Sequence, residues 1–203
     1  LRLLAIHPHF EVTVVSAHSN AGEQVTSVHP QLQSYAGRQF VTVDSIDFSQ
    51  VELVFLALPH GESAALIAKI PAQVKIVDLG ADYRLEDPVQ WQKYYGGNHA
   101  GAWVYGLPEL TPGQREAIKK ESKVANPGCY ATSISLGIAP AVGAIDVSDI
   151  VVVAASGTTG AGRSAKINLI ASEIMGSLTS YKFGGVHQHT PEIEQALSSV
   201  AQT

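Results

Sequence analysis

The fold is decided by residues 53–85, which read LVFLALPHGESAALIAKIPAQVKIVDLGADYRL. The continuously apolar run at 53–58 is typical of a strand that is covered on both faces of a sheet. A turn at Pro59-His60-Gly61 follows, and the pattern of residues 62–70 predicts a helix. Residues 74–79 predict the next strand. Because strands and helices alternate at this spacing, we expect a mostly parallel, doubly wound α/β sheet.

The same alternation extends outward on both sides of this segment. The run IVVVAA at 150–155 gives the strongest strand prediction. A doubly wound nucleotide-binding domain normally begins with a strand and a glycine-rich turn. Here the sequence opens on what resembles the tail of a helix, so we expect it to be the middle part of a longer protein. The further strands are predicted at residues 11–15 and 123–125, and the further helices at 1–6 (the tail), 112–121, 129–141, 165–175 and 191–200.

The composition is that of an ordinary globular protein. With 203 residues, 45% hydrophobic and 15% charged, a disordered, collagen-like or coiled-coil chain is excluded. The 13 Lys and Arg against 18 Asp and Glu give a net charge of -5 with no basic run, which argues against nucleic-acid and anionic-membrane partners. No apolar stretch is long enough to span a bilayer, and no signal-peptide pattern is present, so we expect a cytoplasmic location.

Cys129 is the single cysteine, and it lies in the segment NPGCYAT at 126–132. One cysteine excludes an internal disulfide and a four-cysteine zinc site. The Pro-Gly turn and the predicted helix at 129–141 place the thiol in the first turn of a helix, where unpaired N–H groups and the helix dipole stabilise a thiolate. The alternative is a small buried residue at a strand–helix junction, because free cysteines are among the most buried residues.

Two histidines, His187 and His189, come just before the predicted helix at 191–200. If the segment is extended, the two side chains point the same way, as alternate residues of a strand do. A histidine near the thiol can pair with the thiolate and then act as acid or base. A metal site is the weaker interpretation because no third ligand is evident nearby, and two surface histidines at a helix start are the plain alternative.

Two further segments have the character of ligand-binding loops. Residues 156–163, SGTTGAGR, contain glycines that allow close backbone approach and N–H groups that can bind phosphate. They match neither the Walker A motif nor the simple dinucleotide fingerprint, and a plain glycine turn is the alternative. Residues 16–20, SAHSN, end an early strand without the acidic residue that NAD-preferring folds place there, which favours NADP.

Arg84 lies at another predicted strand end, in the segment GADYRL at 80–85. Its guanidinium can bind a substrate carboxylate or phosphate through two parallel hydrogen bonds. A surface ion pair with an aspartate is the alternative.

Six segments together carry a family resemblance: FLALPHG, GADYRL, YGLPEL, NPGCYATS, SGTTGAGR and HQHTPEIEQ. In this order they resemble the N-acetyl-γ-glutamyl-phosphate reductases, the semialdehyde-forming enzymes of arginine biosynthesis, over essentially the whole chain. The resemblance implies an NADP-binding Rossmann-type domain at residues 1–126. It also implies part of a second α/β domain, semialdehyde-dehydrogenase-like, at 127–203. The family's N-terminal glycine-rich turn and much of its second domain have no counterpart here.

The resemblance also implies roles for individual residues. Cys129 is the nucleophile that forms a thioester, and His189, with His187 as its rival, is the acid or base. The implied cofactor is NADP, the implied substrate a small acyl phosphate, and the implied assembly a homo-oligomer, either dimer or tetramer, with no metal. The residues implied to bind cofactor are Ser16, Ser19, Pro59, His60, Ser156, Gly157, Gly160, Ala161 and Gly162, and those implied to bind substrate are Arg84, Tyr105, Asn126 and Glu192.

Three other functions stay open on the sequence. The substrate could be aspartyl phosphate or an aminoadipyl phosphate, as in related acyl-phosphate reductases. Cys129 and His189 could instead form a thiol hydrolase, which would leave the glycine-rich loop without a purpose. The third alternative is a non-catalytic NADP-binding module.

Overall fold

The computed structural model describes residues 1–162 and 166–202. The chain divides into two compact units, one formed by Leu1–Val54 with Ile70–Val74 and the other by Phe55–Lys69 with Lys75–Thr203. Arg163 of the predicted glycine-rich loop and Ala165, the first residue of a predicted helix, lie outside the described residues.

The sheet has four strands in the order β1-β2-β4-β3. β4 is parallel to β2, with Val124 opposite Val77, and parallel to β3, with Val124 opposite Val104. Ile76 on β2 and Ala125 on β4 are buried. Parallel pairing between strands that are separated by helices confirms the predicted α/β class. The strands are β1 (Leu53–Leu56), β2 (Lys75–Asp78), β3 (Val104–Tyr105) and β4 (Lys123–Ala125).

Most of the predicted helices form: those at 62–70, 112–121 and 129–141 are shorter than predicted, and the one at 191–200 extends one residue further at each end. The described α-helices are α1 (Val25–Val28), α2 (Ser63–Ile67), α3 (Pro88–Tyr94), α4 (Gln114–Lys120), α5 (Cys129–Ile138), α6 (Ala171–Ile174) and α7 (Thr190–Ala201). The described 3-10 turns are Leu4–Ile6, Gln33–Tyr35, Val43–Ser45, Phe48–Gln50, Ala139–Ala141, Thr158–Ala161 and Ile167–Leu169. The 1–6 helix tail is thus a single 3-10 turn. No helix of the described chain has both the length and the apolar character needed to cross a membrane.

The sequence interpretation missed α1, α3 and β3. The start of α3 carries a recognisable local signal, because the Asp87 side chain accepts a hydrogen bond from the Val89 N–H and Pro88 occupies the first turn. β3 has only two residues, which is too short for a period of two to be seen.

In the first unit, the predicted strand at 11–15 is wrong. The structure has only an isolated parallel bridge between Ser16 and Val41 next to this run. The Arg38 guanidinium donates hydrogen bonds to the carbonyl oxygens of Val12 and Thr13. These two carbonyl groups are therefore paired with a side chain and not with a neighbouring strand. The core of this unit is formed by Val25, Leu32, Tyr35 and Phe40.

In the second unit, the strand predicted most strongly, at 150–155, is also wrong. These residues form no strand within the described chain, and Val151 and Val153 are 84% and 97% exposed. Strand propensity largely measures how well a side chain packs on a paired, half-buried surface. Without a paired neighbour among the described residues, the β-branched run stays irregular.

The predicted helix at 165–175 is interrupted. Its described part forms the 3-10 turn Ile167–Leu169 and the short helix α6, and Ile170 between them has an extended backbone with ψ 155. An extended residue breaks the i to i−4 hydrogen-bond series, so the two turns cannot merge into one helix.

Candidate active site

The candidate nucleophile, Cys129, lies at the junction between β4 and α5. Gly128 is the N-cap of α5, with an extended backbone, and Cys129 is the first helical residue. The turn is held to the neighbouring strand, because the Asn126 N–H donates to the carbonyl oxygen of Asp78 at 2.8 Å. The Cys129 side chain is exposed. Placement in the first turn of a helix is therefore confirmed, and a buried cysteine at this junction is wrong.

The imidazole of His189 packs directly against the backbone next to this thiol. A Cβ atom built on Gly128 would lie 2.5 Å from Cε1 of His189 and closer still to Nε2. No real Cβ tolerates such a distance, so the ring occupies the space that a side chain at position 128 would need. The absence of a side chain at Gly128 thus brings the imidazole beside the residue that carries the nucleophile.

His187 holds the backbone of His189. Its Nδ1 accepts a hydrogen bond from the His189 N–H at 3.0 Å, and the two ring centroids are 4.8 Å apart. The segment is not extended, because His189 has helical backbone angles and the Thr190 N–H closes a turn onto the His187 carbonyl at 2.9 Å. The rings meet through this turn. With Nδ1 occupied as an acceptor, neutral His187 carries its proton on Nε2.

Two tyrosines surround the histidine pair, and the sequence interpretation did not select either of them. The ring of Tyr130 meets the His187 ring edge-on at 5.2 Å and the His189 ring at 6.2 Å. The Tyr181 ring lies 5.8 Å from His187. Tyr130 follows Cys129 directly, so its neighbourhood to the thiol was visible in the sequence, while that of Tyr181 was not.

His189 is a neutral imidazole at neutral pH. Burial, with the positive charges of Arg84 and then His187 as further causes, lowers its pKa from 6.5 to about 4. Its Nδ1 is buried and has no hydrogen-bond partner in the part of the chain that the structure describes. A neutral ring without a carboxylate on Nδ1 can accept a proton, but it lacks the third member of a Ser-His-Asp type triad.

The carboxylate of Glu192, on the same helix turn as His189, is engaged elsewhere. Glu192 is 1% exposed. Its Oε1 accepts hydrogen bonds from the Gly128 N–H at 2.8 Å and the Tyr105 hydroxyl at 2.7 Å. Burial and the Glu192 charge raise the pKa of Tyr105, so its hydroxyl remains a donor. Glu192 therefore ties the start of α7 to the residue before the nucleophile.

Arg84 completes this buried network. The guanidinium, 6% exposed, donates from Nη1 to Glu192 Oε2 at 3.4 Å and from Nε to the Asn126 carbonyl at 2.7 Å. Nη2 donates to the Leu79 carbonyl at 2.8 Å. The four residues predicted to bind substrate, Arg84, Tyr105, Asn126 and Glu192, are thus brought together. Their described side-chain hydrogen bonds are to one another and to the backbone, so the alternative of a surface pair between Arg84 and an aspartate is wrong.

The loop after β1 carries His60, which lies close enough to His189 to affect its charge. Pro59 and His60 are exposed, and the His60 ring is 5.1 Å from the ring of Tyr95. Partial burial and the charge of Arg84 lower the pKa of His60, and the charge of His60 in turn contributes to the lowered pKa of His189. In parallel sheets, ligands bind outside the carboxyl ends of the strands, which is where this loop lies.

The remaining predicted cofactor residues are exposed, and apart from Ser16 their described hydrogen bonds are local. In the glycine-rich loop, the Ser156 hydroxyl donates to the Gly157 carbonyl at 3.2 Å, and the Gly160 N–H donates to the same carbonyl at 3.1 Å. Ala161 and Gly162 are likewise exposed. In the first unit, the Ser19 hydroxyl donates to Asn20 Oδ1 at 3.1 Å, and Ser16 makes the bridge to Val41. No group of three or more potential ligands within residues 1–162 and 166–202 is placed to hold a metal ion.

Comparison with known families identifies the class to which this architecture belongs. A family model described as "Semialdehyde dehydrogenase, NAD binding domain" matches residues 1–121, and one described as "Semialdehyde dehydrogenase, dimerisation domain" matches residues 129–203. The chain belongs to the semialdehyde dehydrogenase family.

The individual relatives that this chain matches share one enzyme name. Proteins named N-acetyl-gamma-glutamyl-phosphate reductase are 56% identical in Acidothermus cellulolyticus, 55% in Salinispora tropica and 52% in Frankia casuarinae. Each alignment covers 99% of this chain and 59%, 60% and 59% of the relative, respectively. The resemblance drawn from the six sequence segments is thereby confirmed. The chain spans about three fifths of the length of the curated relatives that it matches.

Proposed function

We propose that this chain carries the nucleophile and the proton-transfer residue of an NADPH-dependent N-acetyl-γ-glutamyl-phosphate reductase of arginine biosynthesis. The observation that carries the proposal is the exposed Cys129 at the start of α5 with the His189 imidazole packed against the preceding residue. The name shared by relatives at 52–56% identity supports the choice of substrate.

The first step is acyl transfer to sulfur. Neutral His189 takes the proton of the Cys129 thiol, because its lowered pKa keeps the ring unprotonated at neutral pH and leaves a nitrogen lone pair free to accept it. The thiolate attacks the acyl carbon, the C–S bond forms, and the C–O bond to phosphate breaks with its electron pair leaving on phosphate. The first-turn N–H groups of α5 have no intrahelical partner by position, so in this proposal they would stabilise the carbonyl oxygen as it gains charge.

The second step returns the enzyme to its resting state. When bound, the reduced nicotinamide supplies a hydride to the thioester carbon. The imidazolium of His189 stabilises the oxyanion that results. As the oxyanion collapses to the aldehyde, the C–S bond breaks and His189 returns its proton to the sulfur of Cys129, while the released phosphate takes a proton from solvent. Atoms and charge therefore balance with one acyl phosphate and one hydride.

His187 serves in this proposal as a positioning residue. Its Nδ1 accepts the His189 N–H, so it sets the turn that carries the proton-transfer ring. Glu192 has a related role, because it holds the Gly128 N–H and so orients the backbone in front of the nucleophile. Asn126 and Tyr105 border the same turn, where the acyl chain of the substrate would lie.

The residues fit a nicotinamide dinucleotide at the catalytic end. Pro59 and His60 present an exposed loop at a strand's carboxyl end, beside His189. We assign NADP because Ser16 and Ser19 provide hydroxyl groups and no carboxylate competes with a 2′-phosphate there. The glycine-rich loop at 156–162 would hold the cofactor through backbone N–H groups.

We place the domain boundary at residue 126, with a cofactor domain at 1–126 and a catalytic domain at 127–203. The two matched family segments end at residue 121 and begin at residue 129, on either side of this boundary, which supports the division. We also propose a homo-oligomer, dimer or tetramer, on the support of the dimerisation-domain description.

The decisive experiment replaces the nucleophile in the full protein that carries this chain. Cys129→Ser is expected to abolish reductase turnover, because a serine hydroxyl lacks a thiolate's nucleophilicity, and to leave NADPH binding largely intact in a fluorescence titration. Substantial retained turnover would refute the nucleophile. Rates with N-acetylglutamyl, aspartyl and aminoadipyl phosphates then define the substrate, and turnover of a thioester without nicotinamide would indicate a hydrolase.

A further inference from the structure

The buried carboxylate of Asp82 is bonded to the loop after β1 and takes no part in the proposed reaction. Asp82, four residues beyond the end of β2, is 1% exposed. Its Oδ1 accepts the Gly61 N–H at 2.8 Å, and its Oδ2 accepts the Ser63 N–H at 3.2 Å. The two donors are 21 and 19 residues earlier in the chain, so the side chain joins the loops that follow two different strands.

The segment held by Asp82 has little to stabilise it by itself. Gly61 has a φ of +87°, and α2, which begins at Ser63, has only five residues. A helix of that length is not stable in isolation, and N–H groups in its first turn lack intrahelical partners. An ionised carboxylate supplies both missing acceptors through charge-assisted hydrogen bonds, which are stronger than neutral ones.

The same short segment after β2 also fixes the opposite side of the site. Arg84, two residues beyond Asp82, binds Glu192 and the Asn126 carbonyl. Asp82 therefore holds the loop that carries His60, while Arg84 holds the turn that carries Cys129 and the helix that follows His189. Residues 82–84 are the common support of the loops on which the candidate active site is built.

We propose that Asp82 is the positioning residue for the loop 59–63, and that it places Pro59 and His60 beside His189. Its contribution is to the backbone of this loop, not to contact with reacting atoms. The consequence for nicotinamide binding rests on the proposed function. The consequence for the loop itself does not, because the two hydrogen bonds are properties of this chain.

Asp78 provides a matched control, because it is also buried and also reaches α2. Its Oδ1 accepts hydrogen bonds from the Gly80 N–H at 2.8 Å and from the Ser63 hydroxyl at 3.2 Å. Its Oδ2 is buried without a hydrogen-bond partner among the described residues. An asparagine at position 78 keeps the bonded oxygen, whereas an asparagine at position 82 loses one of two acceptors and turns an N–H group towards a backbone N–H.

The test compares Asp82→Asn with Asp78→Asn in the full protein by amide hydrogen exchange. Asp82→Asn is expected to raise exchange at Gly61 and Ser63 by about 10- to 100-fold, the loss expected for a charge-assisted hydrogen bond. The sheet amides of Ile76 and Asn126, which donate to Ser122 and Asp78, should keep their protection. Asp78→Asn should change exchange at Gly61 less than about twofold.

Three outcomes would overturn the proposal: unchanged exchange at Gly61 and Ser63 in Asp82→Asn, an equal change in Asp78→Asn, or loss of protection at the sheet amides. The last would make Asp82 a support of the fold as a whole.

Steady-state kinetics separate this role from the proposed function. Asp82→Asn should raise the KM for NADPH by about tenfold, with the alkylation rate of Cys129 by iodoacetamide unchanged, because the nucleophile lies on the other loop. Faster amide exchange with an unchanged KM for NADPH would support Asp82 as the positioning residue and would count against the cofactor role of Pro59 and His60.

Discussion

Two segments of the second unit have the same order of features but different structures. In the β4–α5 turn (residues 123–129) and in the 150–162 segment, a run predicted as a strand is followed by a turn that contains glycine. The three residues of β4 lie between β2 and β3 and are paired with both. The six residues at 150–155 have the stronger strand propensity, yet Val153 is 97% exposed. Pairing, rather than propensity, decides which run becomes a strand.

The difference continues into the turns. After β4, the Asn126 N–H is bonded to Asp78 and the Gly128 N–H to the buried Glu192. After residue 155, the described hydrogen bonds of Ser156 and Gly160 stay within the loop. A reactive group needs the first kind of turn, since catalytic geometry depends on partners that are themselves fixed. A loop that only adjusts its backbone to a bound ligand does not need such partners, and its hydrogen bonds can stay within the loop.

The largest expected effect comes from breaking the buried partner of the β4–α5 turn. Glu192→Gln can keep the acceptor for Gly128 and Tyr105 but turns N–H groups towards the Arg84 guanidinium. Removing one charge of a buried pair should lower the free energy of unfolding by about 3 kcal/mol, measured by urea denaturation. The control is Glu109→Gln, which removes the exposed ion pair with Arg115 and should cost less than about 1 kcal/mol. Equal losses would show that the Glu192 network does not stabilise the turn.

The next effect is on activity and concerns the space at Gly128. Gly128→Ala introduces a Cβ where the His189 ring lies, so the imidazole must move away from the nucleophile. We expect kcat/KM to fall about 100-fold, or about 2.7 kcal/mol of barrier, in a steady-state reductase assay. The control is Gly137→Ala in the same helix, where a Cβ meets nothing within 4 Å and activity should be unchanged. A Gly128→Ala enzyme with full activity would separate His189 from proton transfer.

The smallest effect compares the two runs directly. Val124→Ala removes partly buried methyl groups from the paired strand and should lower the free energy of unfolding by about 1–2 kcal/mol. Val153→Ala, at an exposed position, should change it by less than about 0.5 kcal/mol. Both are measured by urea denaturation of the full protein. A similar loss of unfolding free energy in the two variants would mean that residues 150–155 are paired and buried in that protein. The two segments would then not differ in strand pairing.

Local signals made several features predictable. α5 begins at Cys129 as predicted, because Pro127 and Gly128 break the strand and Gly128, with an extended backbone, is the N-cap of the helix. The helix start at Thr190 likewise follows from Pro191 in the first turn. The cysteine, the histidine pair and the order of the motifs were sufficient to indicate the family.

Longer-range features were not predictable from the sequence. The turn at His187–His189 lets the His189 N–H donate to Nδ1 of His187 and places the ring centroids 4.8 Å apart, and the sequence did not indicate this turn. Arg84 and Glu192 are separated by 108 residues, so their pairing inside the protein could not be distinguished from exposure to substrate. Asp82 was not selected because its donors belong to a different loop. The strand predicted at 150–155 does not form for a similar reason: a strand needs a paired neighbour, and its own residues do not show whether one is present.

The sequence by itself determined the class of fold, the family and the residue types of the chemistry, because periodicity, turn residues and motif order act over a few neighbouring positions. Only the tertiary structure decided which imidazole lies against the nucleophile's backbone, which carboxylate is already engaged and which apolar run remains unpaired. These depend on contacts between residues far apart in the chain, where burial and shared hydrogen bonds outweigh local preference.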